Sequence, residues 1–391
     1  MRTARRYLAR EIYRSTAVVL LALVGLFIFF ALIEGLDKVG TRLTLLNLFY
    51  LQLLNLPTHL YELLPIGLLI GAVLALAGLA QRNELTILRC AGVSGMKLLG
   101  ALWVITIPLV LGAFVLSEFI TPAAELRGSE SRLALLGRAD GGRLESGYWF
   151  KESDDQGITR IINIRQLTGK GSVEGVILYE LGEGQALRAM IEAESGEFSN
   201  GALVLREVTE THIDPRSTEA LADARTRVKP LASVTHRPER SIDTSLTPER
   251  LIARVLTPER MSIADLVDYI GYLQKNHLQT DRQVIALWRK VAYPFTLLVM
   301  ITIAAPIGFM QTRRGGVGPK VFAGIILGVG FFMLNQLALN AGMLGDWPPW
   351  ATALVPNLAS LGLALAAIAA SEHRHAVAGF IQRHRAAAGA P

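Results

Sequence analysis

The residues able to act on another molecule are few and widely spaced. One polar stretch between apolar runs, Gln81-Arg82-Asn83-Glu84-Leu85-Thr86-Ile87-Leu88-Arg89-Cys90-Ala91-Gly92-Val93-Ser94, sets charges beside a short apolar face. Leu85, Leu88 and Ala91 or Gly92 recur at helical spacing, flanked by Arg82, Glu84 and Arg89. A helix of this kind either docks in a groove of another protein or merely connects its neighbours along a surface. Lys38 and Arg42, with Arg127 and Arg132 further on, have the chemistry to bind phosphate oxygens through charge-assisted hydrogen bonds. Their plainer role is that of solvated helix ends. Gly67-x-x-x-Gly71 and Gly324-x-x-x-Gly328 let helix backbones approach closely, inside the chain or across a subunit interface. His59 and Glu62 stand among apolar residues, where an ionisable group is a functional candidate.

The sequence contains no Gly-x-x-x-x-Gly-Lys-Ser/Thr phosphate loop, no His-Glu-x-x-His, no Gly-x-Ser-x-Gly and no Cys-x-x-Cys. We therefore expect no catalytic residues, no metal site and no cofactor held by this chain. Cys90 is the single cysteine, so no intramolecular disulfide can form.

The elements that must position these residues are set by hydrophobic patterning. Of 391 residues, 51% are hydrophobic and only 18% charged, and the mean hydropathy is +0.38. The apolar residues are bunched, as spanning helices of roughly 20 residues require. Six spans are expected, near Thr16–Leu36, Leu60–Ala80, Leu98–Ile120, Val291–Met310, Val321–Ala341 and Ala351–Ala370. The N-terminus turns from basic to apolar as a signal peptide does, but its apolar run is long and lacks a cleavage site, so we read it as a retained helix. The net charge of +6 sits mainly beside apolar stretches, a pattern of membrane orientation rather than of nucleic-acid binding. Arg2, Arg5, Arg6, Arg10 and Arg14 precede the first span; Arg82, Arg89 and Lys97 separate the second from the third. Arg313, Arg314 and Lys320 lie before the fifth, and Arg374, Arg383 and Arg385 follow the sixth. That bias predicts both termini in the cytoplasm and the long polar region on the opposite side.

The polar region changes texture along its length. Ile158–Leu167, Val173–Leu181, Ala186–Ala193 and Gly201–Glu210 alternate with period two between turn signals, which predicts short strands. Later, Leu246-Thr247-Pro248-Glu249-Arg250 recurs as Leu256-Thr257-Pro258-Glu259-Arg260, each copy offering a threonine cap and a proline at the first helical position. The second copy leads toward a helix over Ile263–Leu273 with Ile263, Leu266, Val267, Ile270 and Leu273 on one face. The expected fold is a membrane bundle of six transmembrane helices with an inserted all-β domain, a sandwich, barrel or jelly roll. Residues 1–120 hold three spans and a surface helix near 82–94, residues 121–284 the β-domain and its helical return, and residues 285–391 the last three spans and a basic tail.

This organisation resembles the lipopolysaccharide-export permeases, the paired F and G subunits of the Lpt exporter, over nearly the whole chain. The most specific wording is Leu79-Ala80-Gln81-Arg82-Asn83-Glu84-Leu85 with Ala91-Gly92-Val93-Ser94. A second stretch runs from Leu246-Thr247-Pro248 through Ser262-Ile263, Leu266, Tyr269 and Leu273 to Trp288-Arg289-Lys290 with Pro294. Leu36–Gly40, Leu79–Arg82 and the doubled Thr-Pro segment are more similar to the G subunit.

The resemblance implies a permease that extracts lipopolysaccharide from the outer leaflet of the inner membrane, with a jelly-roll-like β-domain in the periplasm and no enzymatic activity of its own. It implies a second, LptF-like permease, a dimeric cytoplasmic LptB-like ATPase that uses ATP and magnesium, and a single-span LptC-like protein with its own jelly roll. Arg82, Glu84, Leu85, Leu88, Arg89 and Gly92 would then contact the ATPase. Lys38 and Arg132 match basic positions facing lipid phosphates, whereas Arg42 and Arg127 align less cleanly. Ala31, Asp37 and Thr58 stand where G-type subunits carry lysine, so the positive charge is thinner here. Spans one and five would form the gate, with Gly324 and Gly328 at the permease interface. The alternative is a membrane scaffold that binds an ATPase but transports nothing. A secondary transporter requires paired ionisable residues near mid-membrane, which spans four to six lack.

Overall fold

The computed structural model describes residues 2–36, 40, 44–136, 147–153, 158–168, 172–182, 186–199, 201–213, 232–244, 257–309, 317–345 and 347–372. Helices α1 (Arg2–Leu36), α2 (Leu45–Gln81), α3 (Glu84–Cys90) and α4 (Gly95–Val115) come first. A π-helical segment (Leu116–Ile120) then joins α4 to α5 (Thr121–Leu136). Strands β1 (Tyr148–Ser153), β2 (Thr159–Thr168), β3 (Ser172–Leu181), β4 (Leu187–Ser199), β5 (Ala202–Ile213) and β6 (Ala232–Asp243) follow. The chain continues through a 3-10 turn (Pro258–Arg260) into α6 (Ile263–Lys275), α7 (Asp281–Phe309), α8 (Val317–Leu344) and α9 (Pro349–Glu372). Among the described residues, six helices are long and apolar enough to span a bilayer: α1, α2, α4 with its continuation, α7, α8 and α9. The chain divides into two compact units: residues 1–34, 56–121 and 281–391 form one, and residues 35–55 and 122–280 the other.

The helical unit is built around α2 and α7. The most apolar stretch of α2 is 67% buried and that of α7 61%, against 11% for α1 and 17% for α8. Ile12, Leu68, Leu76, Leu102, Leu297 and Met300 are fully enclosed. Helices in lipid gain little from mutual hydrophobic contact, so small residues and interhelical hydrogen bonds carry the packing. Tyr13 Oη donates to the Ile105 carbonyl at 2.6 Å, Trp103 Nε1 to Thr302 Oγ1 at 2.9 Å and Thr296 Oγ1 to Asn357 Oδ1 at 3.0 Å. These bonds tie α1 to α4, α4 to α7 and α7 to α9.

Among the described residues, the second unit contains one antiparallel sheet of six strands in sequential order. Laid flat, β1 and β6 would stand about 24 Å apart across five strand spacings. Instead, Thr244 Oγ1, just past β6, donates to Glu152 Oε2 on β1 at 2.8 Å, and an Arg160 guanidinium N–H on β2 donates to the Asp243 carbonyl at 3.2 Å. The sheet is therefore strongly curled. Its described connections are those of a meander, and the jelly-roll likeness lies in the curl rather than in Greek-key crossovers.

A line of interrupted pairing crosses the sheet at Arg165, Gly175, Glu194, Glu207 and Pro238. Gly175 (φ +64°) and Glu207 (φ +51°) adopt the left-handed conformation there, and Pro238 has no N–H to leave unpaired. The buried positions shift by three residues across this line instead of two: Val173 to Val176 on β3, Ala193 to Gly196 on β4, and Leu205 to Val208 on β5. The register is the same on both sides of this line, so the local backbone turn re-aims the side chains without a bulge.

The expected strands are present as β2 to β5. Alternation does not mark β6, an edge strand dominated by Ser, Thr, His, Arg, Pro and Glu, a composition that guards an exposed edge against further pairing. In the return segment, Thr257 precedes only the 3-10 turn, without a side-chain cap. Ser262 starts α6 instead, its Oγ accepting from the Asp265 N–H at 3.0 Å. The buried face of α6 comprises Leu266, Tyr269, Ile270, Tyr272 and Leu273, while Val267 is exposed. The first Thr-Pro copy lies outside the described residues.

Candidate functional site

The surface helix is shorter than the expected 82–94. Asn83 (φ +58°) and Gly92 (φ +84°) take left-handed backbone conformations on either side of Glu84–Cys90. The Val93 N–H bonds back to the Leu88 carbonyl at 3.2 Å, the six-to-one bond of a Schellman ending, which favours glycine at position 92. Ser94 then begins α4, its Oγ accepting from the Lys97 N–H at 3.3 Å. Gly92 thus terminates the helix.

Within α3, Leu85 is buried and Leu88 half-buried against the helical core, so both are committed largely to this chain. Glu84 opens the helix with its side chain one-third exposed. An Arg82 guanidinium N–H lies 2.7 Å from the Glu11 carboxylate and Nε stands 3.8 Å from that of Glu84. The Glu11 bond pushes the Arg82 guanidinium above its ordinary value. Arg82 therefore faces α1. The Arg89 side chain lies outside what is described.

Of the four cations, Lys38 and Arg42 lie outside the described residues. Arg127 is exposed on α5. Arg132 is half-buried, and burial holds its guanidinium below the ordinary value, with Glu125 opposing and Arg260 adding to the shift. The nearly enclosed Glu125 accepts from Arg260 at 3.1 Å. Five residues along a helix separate Arg127 and Arg132 by about 140°, so they face different directions.

Gly324 and Gly328 are buried against α2. A Cβ at Gly324 would lie 3.3 Å from Val73 Cγ2, and one at Gly328 would lie 3.1 Å from Leu69 Cδ2. The close approach they allow is made within the chain. The opposite face of α8 presents Phe322, Ile325, Ile326, Val329, Phe332 and Met333 outward.

One polar constellation was not legible as a unit. At the π-helical segment, Lys290 Nζ donates to Ser117 Oγ at 3.0 Å, and both residues are buried. Tyr61 hydrogen-bonds Ser117 and stacks on Tyr293 with ring centroids 4.1 Å apart, while Tyr293 Oη donates to the Tyr61 carbonyl at 2.7 Å. Lys290 stood in a recognisable Trp-Arg-Lys string, but its partner lies 173 residues away. Tyr293→Phe should cost about 1 kcal/mol, a fall of about 2–4 °C in thermal midpoint measured on the detergent-solubilised chain.

Six apolar helices around a polar-pinned core, interrupted by a curled β-domain, define a multi-pass permease architecture. The chain belongs to the lipopolysaccharide export system permease LptF/LptG family, whose model matches residues 6–370. Lipopolysaccharide export system permease protein LptG of Haemophilus influenzae is 25% identical over 91% of this chain and 95% of that protein. The Escherichia coli K12 protein of the same name is 25% identical over 90% of this chain and 94% of its own length. Family and spans together make this a multi-pass protein of the inner membrane.

Proposed function

We propose that this chain is the G-type half of an ATP-driven exporter that lifts lipopolysaccharide out of the outer leaflet of the inner membrane and passes it to a periplasmic bridge. Its termini lie in the cytoplasm and its β-domain in the periplasm. An F-type permease completes the cavity, and a single-span jelly-roll protein receives the lipid. A separate dimeric ATPase, which alone uses ATP and magnesium, docks on α3 through Glu84.

The observation that carries this reading is the uneven burial of the spans. Helices α1 and α8 leave most of their apolar surface uncovered, at 11% and 17% buried, while the other four are 33–67% buried. These are spans one and five, those that form the gate by family likeness. Gly324 and Gly328 would back α8 onto α2, so that its opposite face, from Phe322 to Met333, meets the second permease or the lipid. Lys38, Arg42, Arg127 and Arg132 are the candidate phosphate contacts. Extraction requires work, because each methylene withdrawn from hydrocarbon forfeits about 0.8 kcal/mol of burial. The folded β-domain gives the acyl chains an apolar refuge once the curled sheet opens, since Ile162, Leu178, Ile191 and Leu203 now fill its interior.

The test is gentle extraction of the tagged chain from its native membrane, followed by mass spectrometry of whatever remains bound. An ATPase, a second six-span permease and a phosphorylated glycolipid are expected together. Recovery of the chain alone under several mild detergents would favour the scaffold alternative. Within such a complex, Glu84→Ala should reduce co-purified ATPase about tenfold or more, as loss of a central contact does; undiminished recovery would take Glu84 out of the docking surface.

A further inference from the structure

Helix α3 is gripped by the first turns of α1. Leu85 is enclosed together with Leu8, Ile12 and Leu79, each exposed by no more than 5%. A small apolar pocket of about 180 Å³ remains between the two helices, lined by Ala4, Tyr7, Leu8, Leu85 and Leu88 among others. Around this contact runs a polar ring. Glu11 binds Arg82 at 2.7 Å, Arg82 stands 3.8 Å from Glu84, and the Tyr7 hydroxyl faces the Glu84 carboxylate. Tyr7 and Glu11 are four residues apart, one above the other on a single face of α1. Both partners from the other side, Arg82 and Glu84, flank Asn83, whose left-handed backbone turns the chain into α3.

From this geometry we infer that α3 drives α1 directly, with Tyr7 and Glu11 as the positioning residues that transmit its movement. The inference rests on the exporter reading, in which α3 meets the ATPase and α1 borders the gate. A helix from Arg2 to Leu36 is a single rod about 50 Å long. A push or tilt delivered at Tyr7 and Glu11 therefore reaches its far end without passing through α2. Exposed ion pairs contribute little to stability, so the apolar contact holds the two helices together. The ring contributes direction: Glu11 on Arg82 and Tyr7 beside Glu84 favour one rotational setting of α3 against α1. The same arrangement turns Arg82 toward α1 rather than toward the ATPase.

Cys90, exposed at the end of α3 and the chain's single cysteine, provides a reporter. A nitroxide attached there on the full-length chain in nanodiscs should show restricted motion. Glu11→Arg sets two guanidiniums against each other and should free the label. The exchange Glu11→Arg with Arg82→Glu should restrict it again. Tyr7→Phe, which keeps the apolar packing and removes only the hydroxyl, should loosen it partially and guards against a misfolded Glu11→Arg protein. In the assembled, unlabelled exporter, Glu11→Arg should leave ATPase recovery unchanged and lower lipid released per ATP about threefold or more, with recovery in the exchanged pair. A label equally restricted in every variant overturns the tie. A freed label with unchanged lipid release per ATP overturns its part in coupling. If the wild-type complex holds no ATPase, the exporter reading fails and the coupling role falls with it, whereas the label still decides whether α1 holds α3.

Discussion

Gly71→Leu is expected to lower the thermal midpoint of the full-length chain by about 5 °C or more, and to do so by prising α1 off α2. The apolar stretch of α1 is only 11% buried, so few contacts besides the Tyr13 bond to α4 and the grip on α3 oppose its release. Its buried residues Ile12, Thr16, Leu20 and Val24 recur every four positions and form one narrow stripe. Thr16 sits directly on Gly71: a Cβ there would lie 2.5 Å from Thr16 Cα and 2.6 Å from Thr16 N. Backbone atoms cannot rotate aside as a side chain does, so the helices must separate along the whole stripe. Overpacking costs about 1–3 kcal/mol where neighbours can yield, and here they cannot. Gly100→Leu is the control, because an added Cβ meets nothing within 4 Å at that position. Gly324→Ala should fall between them, since its Cβ would press only on the Val73 methyl at 3.3 Å. Equal midpoints for Gly71→Leu and Gly100→Leu would show that α1 is not seated through this glycine.

The same contrast explains what was legible in the sequence. A spanning helix satisfies its own backbone and needs only a long apolar run, so all six could be found without knowledge of their partners. Alternation revealed β2 to β5 because one face of each is buried. It failed for β6, whose residues are polar on both faces and whose burial is slight until Ile242 near its end. The aligned interruption of pairing was invisible because a shift of three in one strand acquires meaning only beside the same shift in its neighbours. Gly67 and Gly71 could be recognised as a close-packing pair, but the small-residue spacing does not say which helix approaches. For Gly324 and Gly328, that helix is α2 of the same chain. Arg82 belonged to an evident local cluster, yet its shortest ion pair is with Glu11, 71 residues earlier. Glu11 gave one faint signal: it is the lone carboxylate in a basic N-terminal run.

Arg240→Met should destabilise the β-domain more than any change on its exposed face. Glu210 is 3% exposed, and the Arg240 guanidinium binds its carboxylate while also reaching Glu180 at 3.6 Å. Glu180 in turn receives Arg160 at 3.4 Å, and Arg160 donates to the Asp243 carbonyl at the end of β6. Arg240 therefore adds side-chain ties from β6 to β3 and β5, and through Glu180 and Arg160 to β2, beyond the backbone pairing of β6 with β5. Removing one member of a buried pair strands the other charge, at a cost of about 3–5 kcal/mol. Two partners remain to Glu210, His212 at 2.7 Å and the exposed Arg237 at 3.8 Å, so the effect should lie near the lower bound. About 3 kcal/mol corresponds to a roughly hundredfold rise in the open population, read as faster proteolysis of the sheet in the intact, membrane-extracted chain. The double variant Arg240→Met with Glu210→Leu should recover most of that loss, because well-packed apolar residues replace a buried pair at little cost. Glu210→Leu alone should be milder than Arg240→Met, since Arg240 is the more exposed partner and keeps Glu180 at 3.6 Å. A single Arg240→Met chain as resistant as the wild type would mean that His212 and Arg237 suffice for Glu210. The curl would then be held by the bonds from Thr244 to Glu152 and from Arg160 to Asp243, and the opening step expected of a lipid-conducting domain would have to begin there.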